Sequence, residues 1–209
     1  MTKLLNQVIQ ATLRPYGFLP DSVQCEAIRT YISLLLRWNQ RISLTTVVDP
    51  IEILRFHFGE SLFAAFSVPI KKGRLADVGS GAGFPGLPLC LAVPGLSVTL
   101  IESNTKKAAF LAEVVRELNL KQVDIRRQRI EDLPADVGQF DYITARALGS
   151  YKALLSLARG RLAKAGKIVL WLGKEESQSM SADTSWIWRD PIHIPGSKRR
   201  FILAGSSAE

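Results

Sequence analysis

The chain has 209 residues, 47% of them hydrophobic, and its 27 lysine and arginine residues against 19 aspartate and glutamate residues give a formal net charge of +8. This length supports one substantial core with a small extension and excludes two full-sized domains. No run of about eighteen apolar residues occurs, the N-terminus does not resemble a signal peptide, and the two cysteines, Cys25 and Cys90, lack the spacing of a disulfide framework or a zinc site. We therefore expect a cytoplasmic protein with no membrane span and no metal.

The positive charge is unevenly distributed along the chain. Residues 1–65 hold six basic and five acidic side chains, whereas residues 66–209 hold 21 basic and 14 acidic side chains. An excess of this kind favours a polyanionic partner such as nucleic acid, because neutralised phosphates release counterions. Solubility alone is the alternative explanation.

The N-terminal part of the chain is predicted to be helical. Apolar residues recur at three- and four-residue steps after Ser22, which is a candidate cap. Asp49, followed by Pro50 and by Glu52, is typical of the start of another helix, which is expected to end near Phe66. We assign residues 1–66 to a helical extension and residues 67–209 to the main domain.

From Leu75 onward the pattern changes to short apolar runs that alternate with helical segments. Strands are predicted at 74–78, 97–101, 123–127, 140–145 and 167–172, with helices at 86–93, 104–120, 151–163 and 175–181. Two last strands, 185–194 and 199–203, are predicted to form a hairpin. The fold class is therefore α/β, a mostly parallel doubly wound sheet with an antiparallel final strand and an N-terminal helical extension.

The segment DVGSGAGFPG, residues 77–86, follows the first predicted strand, where doubly wound sheets bind their ligands. Glycines at 79, 81 and 83 allow positive φ and a close approach of the backbone to a ligand. Asp77 would repel the pyrophosphate of NAD and attract the ammonium group of S-adenosylmethionine. Glu102, after the second strand, can accept hydrogen bonds from ribose hydroxyls. S-adenosylmethionine is the favoured ligand, and an NAD-dependent oxidoreductase or a glycine turn without a ligand are the alternatives.

Several short motifs together resemble the RsmG (GidB) family from about residue 20 to the C-terminus. They are Trp38-Asn39, Ile42-Ser43-Leu44-Thr45, Arg55-Phe56-His57, the loop 77–86, Arg129-Ile130-Glu131 and Ala145-Arg146-Ala147. The resemblance implies a Rossmann-like class I S-adenosylmethionine-dependent methyltransferase that modifies guanine N7 in 16S ribosomal RNA. The implied partner is that RNA or the small ribosomal subunit.

The resemblance also implies site residues. Gly79 and Phe84 match cofactor contacts of the family, Ile130 and Glu131 match the pair that flanks the adenine, and Arg146 matches an arginine beside the methyl donor. Together with Asp77, Gly81 and Glu102, these residues form the predicted cofactor site. The chain departs from the family pattern at Glu60, where aspartate is commoner, and at Gly173-Lys174, where Lys-Gly is usual.

The chemistry needs few catalytic groups, because a methyl sulfonium is already activated and guanine N7 carries a free lone pair. The end of the fourth predicted strand has neither a cysteine for carbon methylation nor the Asn/Asp-Pro-Pro-aromatic motif used on exocyclic amines. Arg146 is the candidate catalytic residue, contacting guanine O6 or a phosphate. A structural ion pair of Arg146 with Glu131 or Asp141 is the alternative.

Other motif residues have structural interpretations. We expect His57 to be a core histidine, Trp186 and Trp188 to pack rather than stack on bases, and Phe84 either to contact the cofactor or to hold the loop on the following helix. A small-molecule methyltransferase and a non-catalytic RNA-binding module remain open as functions, and a monomer is expected. The candidate RNA-binding basic residues are Lys106, Lys107, Arg126, Arg127, Arg129, Lys152, Arg159, Arg161, Lys164, Lys198, Arg199 and Arg200.

Overall fold

The computed structural model describes residues 4–147 and 149–208, so the parts of the predicted domains at residues 1–3, 148 and 209 lie outside the described residues. The N-terminal part is helical, as predicted. Its helices are α1 (Asn6–Leu13), α2 (Ser22–Asn39), α3 (Pro50–Ile53) and α4 (Glu60–Ser67), and a π-helical stretch, Leu54–Gly59, joins the last two.

Two side-chain caps start the helices α2 and α3. The Asp49 carboxylate accepts hydrogen bonds from the backbone N–H groups of Ile51 and Glu52, both at 2.9 Å, which confirms the predicted cap. The prediction of Ser22 as the cap of α2 is wrong. Asp21 is the cap, because its carboxylate accepts from Gln24 N–H at 2.8 Å while the Gln24 side chain accepts from Asp21 N–H at 3.0 Å.

The rest of the chain forms one eight-stranded sheet with helices. The strands are β1 (Gly73–Val78), β2 (Leu96–Ile101), β3 (Val123–Arg126), β4 (Phe140–Arg146), β5 (Leu162–Gly173), β6 (Trp186–Trp188), β7 (Ile192–His193) and β8 (Arg200–Ser207). The helices are α5 (Gly86–Ala92), α6 (Thr105–Glu117), α7 (Tyr151–Arg159) and α8 (Lys174–Ser181). The order is β3-β2-β1-β4-β5-β8-β6, with β7 also on β8, and only the pairs made by β8 are antiparallel. The predicted fold class is confirmed.

Most predicted boundaries lie within four residues of the observed ones, and two elements differ more substantially. The predicted strand 185–194 is divided into β6 and β7, because Pro191, between them, has no N–H to donate to β8. The predicted helix 151–163 is too long, since α7 ends at Arg159 and β5 already begins at Leu162, opposite Phe140. The pairing of β4 with β5 shifts register between Phe140 and Tyr142, so the extra residues of β5 belong to a bulged pair.

Each face of the sheet has its own apolar cluster. One cluster joins Ile143 and Leu170 to Leu155 of α7. The other joins Leu75 and Val98 to residues of α2 and α4, so the N-terminal helices share a core with the sheet. The division into an extension over residues 1–66 and a domain over 67–209 stays a prediction. No helix in the described ranges is long and apolar enough to cross a membrane.

The topology brings several chain segments to one edge of the sheet. The parallel strands β1 to β5 all end at this edge, and the antiparallel β8 starts there because Arg200 pairs with Gly173. We call this the carboxyl edge. It is the edge at which sheets of this kind bind their ligands.

Candidate active site

The glycine loop connects β1 to α5 at the carboxyl edge. Gly79, Gly81 and Gly83 have φ values of 69°, 56° and 86°, as the sequence predicted. At Gly83 a Cβ atom would lie 2.4 Å from the Tyr31 hydroxyl, so only glycine fits there. The same hydroxyl donates a hydrogen bond to the Ala82 carbonyl at 2.5 Å. Helix α2 of the N-terminal part therefore holds the loop in place.

Asp77 is buried at the end of β1 and fastens the loop from inside. Its carboxylate accepts hydrogen bonds from the Thr144 hydroxyl at 2.9 Å and from Gly86 N–H at 3.1 Å. Burial raises the pKa of Asp77 to about 6, although these hydrogen bonds oppose the shift. None of the lysine and arginine side chains in residues 4–147 and 149–208 forms an ion pair with it. The contact with a cofactor ammonium group stays a prediction.

Glu102 fastens the loop from the neighbouring strand. Its two carboxylate oxygens accept hydrogen bonds from Gly81 N–H and Asn104 N–H, both at 2.8 Å. Because two carboxylate oxygens together offer about four acceptor positions, Glu102 retains capacity for the ribose hydroxyls that the sequence assigned to it.

A cavity of about 250 Å³ opens at the carboxyl edge beside the loop. Four of the predicted cofactor residues line it, namely Gly79, Glu102, Ile130 and Glu131. Ligand pockets for drug-sized molecules measure roughly 300–1,000 Å³, so this cavity suits a nucleoside-sized group with the remainder of a ligand lying along the glycine loop.

Sequence analysis missed the far wall of this cavity. That wall contains Ala153, Leu154 and Leu157 of α7. The signal was available, since α7 follows β4 and must begin near the carboxyl edge. The sequence predicts these residues only as part of the helix 151–163 and assigns them no ligand.

A second group of polar side chains lies around the end of β4. Arg146 Nη2 is 3.1 Å from Glu60 Oε2 and donates to the Phe56 carbonyl at 2.8 Å. The alternative partners that the sequence suggested for Arg146 are therefore wrong. Glu60 forms the ion pair, and Asp141 instead accepts a hydrogen bond from Arg74 N–H at 2.8 Å.

A second arginine completes this group. Arg200 Nη1, at the start of β8, lies 2.8 Å from Glu60 Oε2. Glu60 is fully buried, and burial raises its pKa while the two arginines oppose that shift. Glu60 was noted in the sequence only as a departure from the family pattern, and we name Glu60, Arg146 and Arg200 the acidic–diarginine cluster.

His57 lies between the two groups. Burial and the charge of Arg146 lower its pKa to about 4, so the ring is neutral at physiological pH. Its Nε2 is 2.7 Å from the Thr45 hydroxyl, as expected for a core histidine with a satisfied nitrogen. The Asn39 side chain forms hydrogen bonds with the backbone of Leu44 and Thr45. These bonds position the Thr45 hydroxyl that contacts His57, so the motif residues 38–45 and His57 belong to one connected group.

Phe84 packs between the loop and the N-terminal helices. Its ring centroid lies 5.2 Å from that of Tyr31 and 4.9 Å from that of His57. Phe84 thus fastens the loop to α2 and to the π-helical stretch, whereas its predicted role on the following helix stays a prediction. Its contact with the cofactor stays a prediction.

Two apolar features lie outside this site. Trp186 is buried and stacks on Trp188, with ring centroids 5.6 Å apart, so the packing interpretation of these tryptophans is supported. A larger groove of about 1020 Å³ lies between α1, α2 and the start of α3. Its lining contains none of the predicted cofactor residues, all of which the structure describes.

Solved structures share this architecture. The ribosomal protein L11 methylase from Lactobacillus delbrueckii has a TM-score of 0.59 at 18% identity, covering 74% of this chain and 80% of that chain. The precorrin-6y C5,15-methyltransferase from Geobacter metallireducens has a TM-score of 0.58 at 12% identity, covering 79% and 91%. At such identities the likeness concerns the fold alone. The chain therefore has the Rossmann-like fold of class I methyltransferases, with a glycine loop and a cavity at its carboxyl edge.

Sequence relatives narrow this class. The family model described as GidB, rRNA small subunit methyltransferase G, matches residues 24–193. A relative of that name from Xylella fastidiosa is 40% identical over 188 residues, which is 88% of this chain and 87% of the relative. Another from Chloroflexus aggregans is 31% identical and covers 97% and 90%. The chain belongs to the GidB family of small-subunit ribosomal RNA methyltransferases, as the motif resemblance implied.

Filling the cavity tests the assignment of the adenosine subsite. We expect Ala153→Trp to weaken the binding of S-adenosylhomocysteine about tenfold or more, because the exposed Ala153 lines the cavity and a large ring there occupies the ligand volume. Ala112→Trp on α6 is the matched control, since Ala112 is also exposed and is not part of the cavity lining. Calorimetry measures both affinities. Equal affinities for the two variants would contradict the assignment.

Proposed function

We propose that this protein transfers the methyl group of S-adenosylmethionine to N7 of a guanine in small-subunit (16S) ribosomal RNA. The observation that carries the proposal is the combination of a family match over residues 24–193 with a carboxylate-fastened glycine loop beside a nucleoside-sized cavity. The proposal places the protein in the cytoplasm, acting as a monomer on ribosomal RNA or on the small subunit. Its chemistry requires no metal.

The residues of the site suit S-adenosylmethionine. Asp77 is a buried acid without an ion-pair partner in the described part of the chain, which favours a ligand that brings a positive charge. Glu102 retains acceptor positions for ribose hydroxyls, and Ile130 and Glu131 line the cavity where an adenine would lie. Gly79, Gly81 and Phe84 shape the loop along which the methionine part would extend. When bound, the sulfonium supplies an activated methyl group.

The acceptor side needs alignment and no base. Guanine N7 has a lone pair and no proton, so the chain must hold the base in line with the methyl group and accommodate the positive charge that develops on the purine. Arg146 is positioned for the first of these tasks, holding the base, because it lies at the end of β4, at the carboxyl edge, with its guanidinium fixed by Glu60. We assign its donors to the O6 edge of the base.

The basic residues fall into two groups with different positions. Arg159 and Arg161 donate to backbone carbonyls, and with Lys164 they lie at the edge opposite the cavity. At the carboxyl edge, Arg129 lines the cavity and Lys152 precedes Ala153. There the turn before β8 also carries the exposed Lys198 and Arg199. We propose that the carboxyl-edge group binds the RNA backbone.

The proposed activity is tested by supplying tritiated S-adenosylmethionine with small-subunit RNA that lacks the modification, both as naked RNA and as assembled subunits. The expected product carries label on one guanine and is cleaved chemically at that position, because N7 methylation labilises the base. Label on a carbon atom or an exocyclic amine would contradict the mechanism. Binding of RNA without transfer would instead indicate a non-catalytic RNA-binding module, and transfer only to small molecules would indicate the alternative methyltransferase.

The RNA-binding surface has a separate test. We expect the double variant Lys198→Ala/Arg199→Ala to weaken RNA binding and to reduce the salt slope of the binding constant by about one to two, because up to two phosphate contacts are lost. The control is Lys72→Ala/Lys164→Ala, which removes the same charge from exposed positions at the opposite edge. Binding is measured as a function of salt concentration. An unchanged slope in the first variant, or an equal change in both, would refute this surface.

A further inference from the structure

The acidic–diarginine cluster contains two polar atoms whose hydrogen-bonding capacity is unused. Both arginines bind the same oxygen of Glu60, Oε2. The other oxygen, Oε1, is buried and has no hydrogen-bond partner among residues 4–147 and 149–208. Arg146 Nη1 is likewise buried without a partner in those ranges. The cluster therefore offers one acceptor, Glu60 Oε1, and one donor, Arg146 Nη1, on two side chains that form an ion pair with each other.

Free buried polar atoms of this kind are uncommon. A buried donor or acceptor without a partner costs free energy, so each such group in a folded protein calls for an explanation. Glu60 is the more unusual of the two, because only 2% of its side chain is exposed and a carboxylate oxygen is a strong acceptor. Its position beside Arg146, at the edge where the acceptor base must enter, connects this free atom to substrate recognition.

The free pair matches one edge of guanine. Guanine presents the O6 acceptor next to the N1–H donor, whereas adenine presents the N6 amino donor next to the unprotonated N1. An arginine donor beside a carboxylate acceptor complements the first pattern and opposes the second. We propose that Glu60 is a specificity-determining residue, whose Oε1 accepts the N1–H of the target guanine while Arg146 Nη1 donates to O6. This inference rests on the proposed function and names the groups that select its base.

The two arginines determine the charge of Glu60 and which of its oxygens is available to a base. They stabilise its ionised form against the effect of burial, and they hold Oε2, so only Oε1 is left to face a base. Oε1 and Nη1 are enclosed by protein, so a side chain must move to admit the base. Arg200 is the most exposed member of the cluster, with 52% of its side chain exposed.

The variant Glu60→Gln tests this assignment. Its amide oxygen is expected to face the two arginines, which leaves the amide NH₂ directed at the base. This NH₂ donor faces the N1–H donor of guanine, which is unfavourable, but it can bond the N1 lone pair of 2-aminopurine. 2-Aminopurine keeps N7 as the methyl acceptor and carries no donor group at position 6 that would repel Arg146. The substrates are otherwise identical RNA fragments that carry guanine or 2-aminopurine at the mapped position.

We expect the wild-type protein to prefer guanine over 2-aminopurine by about a hundredfold or more in kcat/KM, because 2-aminopurine lacks both the N1–H that bonds the charged Glu60 and the O6 that accepts from Arg146. Glu60→Gln should lower kcat/KM for guanine by a similar factor and reduce the preference to within a few-fold. Inosine, which keeps O6 and N1–H, should remain a substrate of the wild-type protein. Glu60→Asp, which keeps the carboxylate, should retain the preference for guanine.

The controls separate recognition from folding and from the proposed function. S-adenosylhomocysteine should bind Glu60→Gln as it binds the wild type, because Glu60 is not part of the cofactor cavity. Equal losses for guanine and 2-aminopurine in Glu60→Gln would show a merely structural role and overturn the inference. Wild-type protein that used 2-aminopurine as well as guanine would overturn it without any variant. Failure of the proposed function would appear earlier, as no transfer to guanine at all.

Discussion

The carboxylate of Asp77 is the group on which the site depends. Its hydrogen bonds to Gly86 N–H and to the Thr144 hydroxyl join the end of β1 to α5 and to β4. Burying this acid raises its pKa to about 6, so the fold keeps a group that is costly to ionise at the centre of its carboxyl edge. A cationic ligand beside it offsets that cost and a diphosphate increases it. We propose that this one charge favours a methyl donor over a dinucleotide.

The N-terminal helices contact the candidate active site directly. Tyr31 bonds the glycine loop, Phe84 of the loop packs on Tyr31 and His57, and Glu60 fixes Arg146. The glycine loop is thus joined by side-chain contacts to α2 and the π-helical stretch, and the end of β4 is joined to α4. This explains why motif residues of the helical part occur together with the glycine loop in one sequence.

The features that the sequence predicted correctly are those that depend on residues close together in the chain. The alternation of strands and helices predicted a mostly parallel sheet, and the residues around Asp49 predicted the start of a helix. The glycines of the loop predicted its positive φ values. The sequence did not reveal the partner of Arg146, because Glu60 is 86 residues earlier and the ion pair forms only when α4 packs beside β4. The cap at Asp21 was missed since adjacent Asp and Ser residues are both good caps, and the hydrogen bond from Gln24 decides between them.

The most direct test of the account is calorimetric binding of S-adenosylhomocysteine at pH 7.5 and at pH 5, with methylthioadenosine, which lacks the amino acid part, as the reference ligand. At pH 5, below the Asp77 pKa of about 6, the carboxyl is protonated and must lose its proton to pair with the ligand ammonium. The account predicts an affinity about tenfold lower for S-adenosylhomocysteine at pH 5, and no such change for methylthioadenosine or in Asp77→Asn. A wild-type affinity that does not depend on pH, or tight binding of NAD in place of S-adenosylhomocysteine, would contradict it.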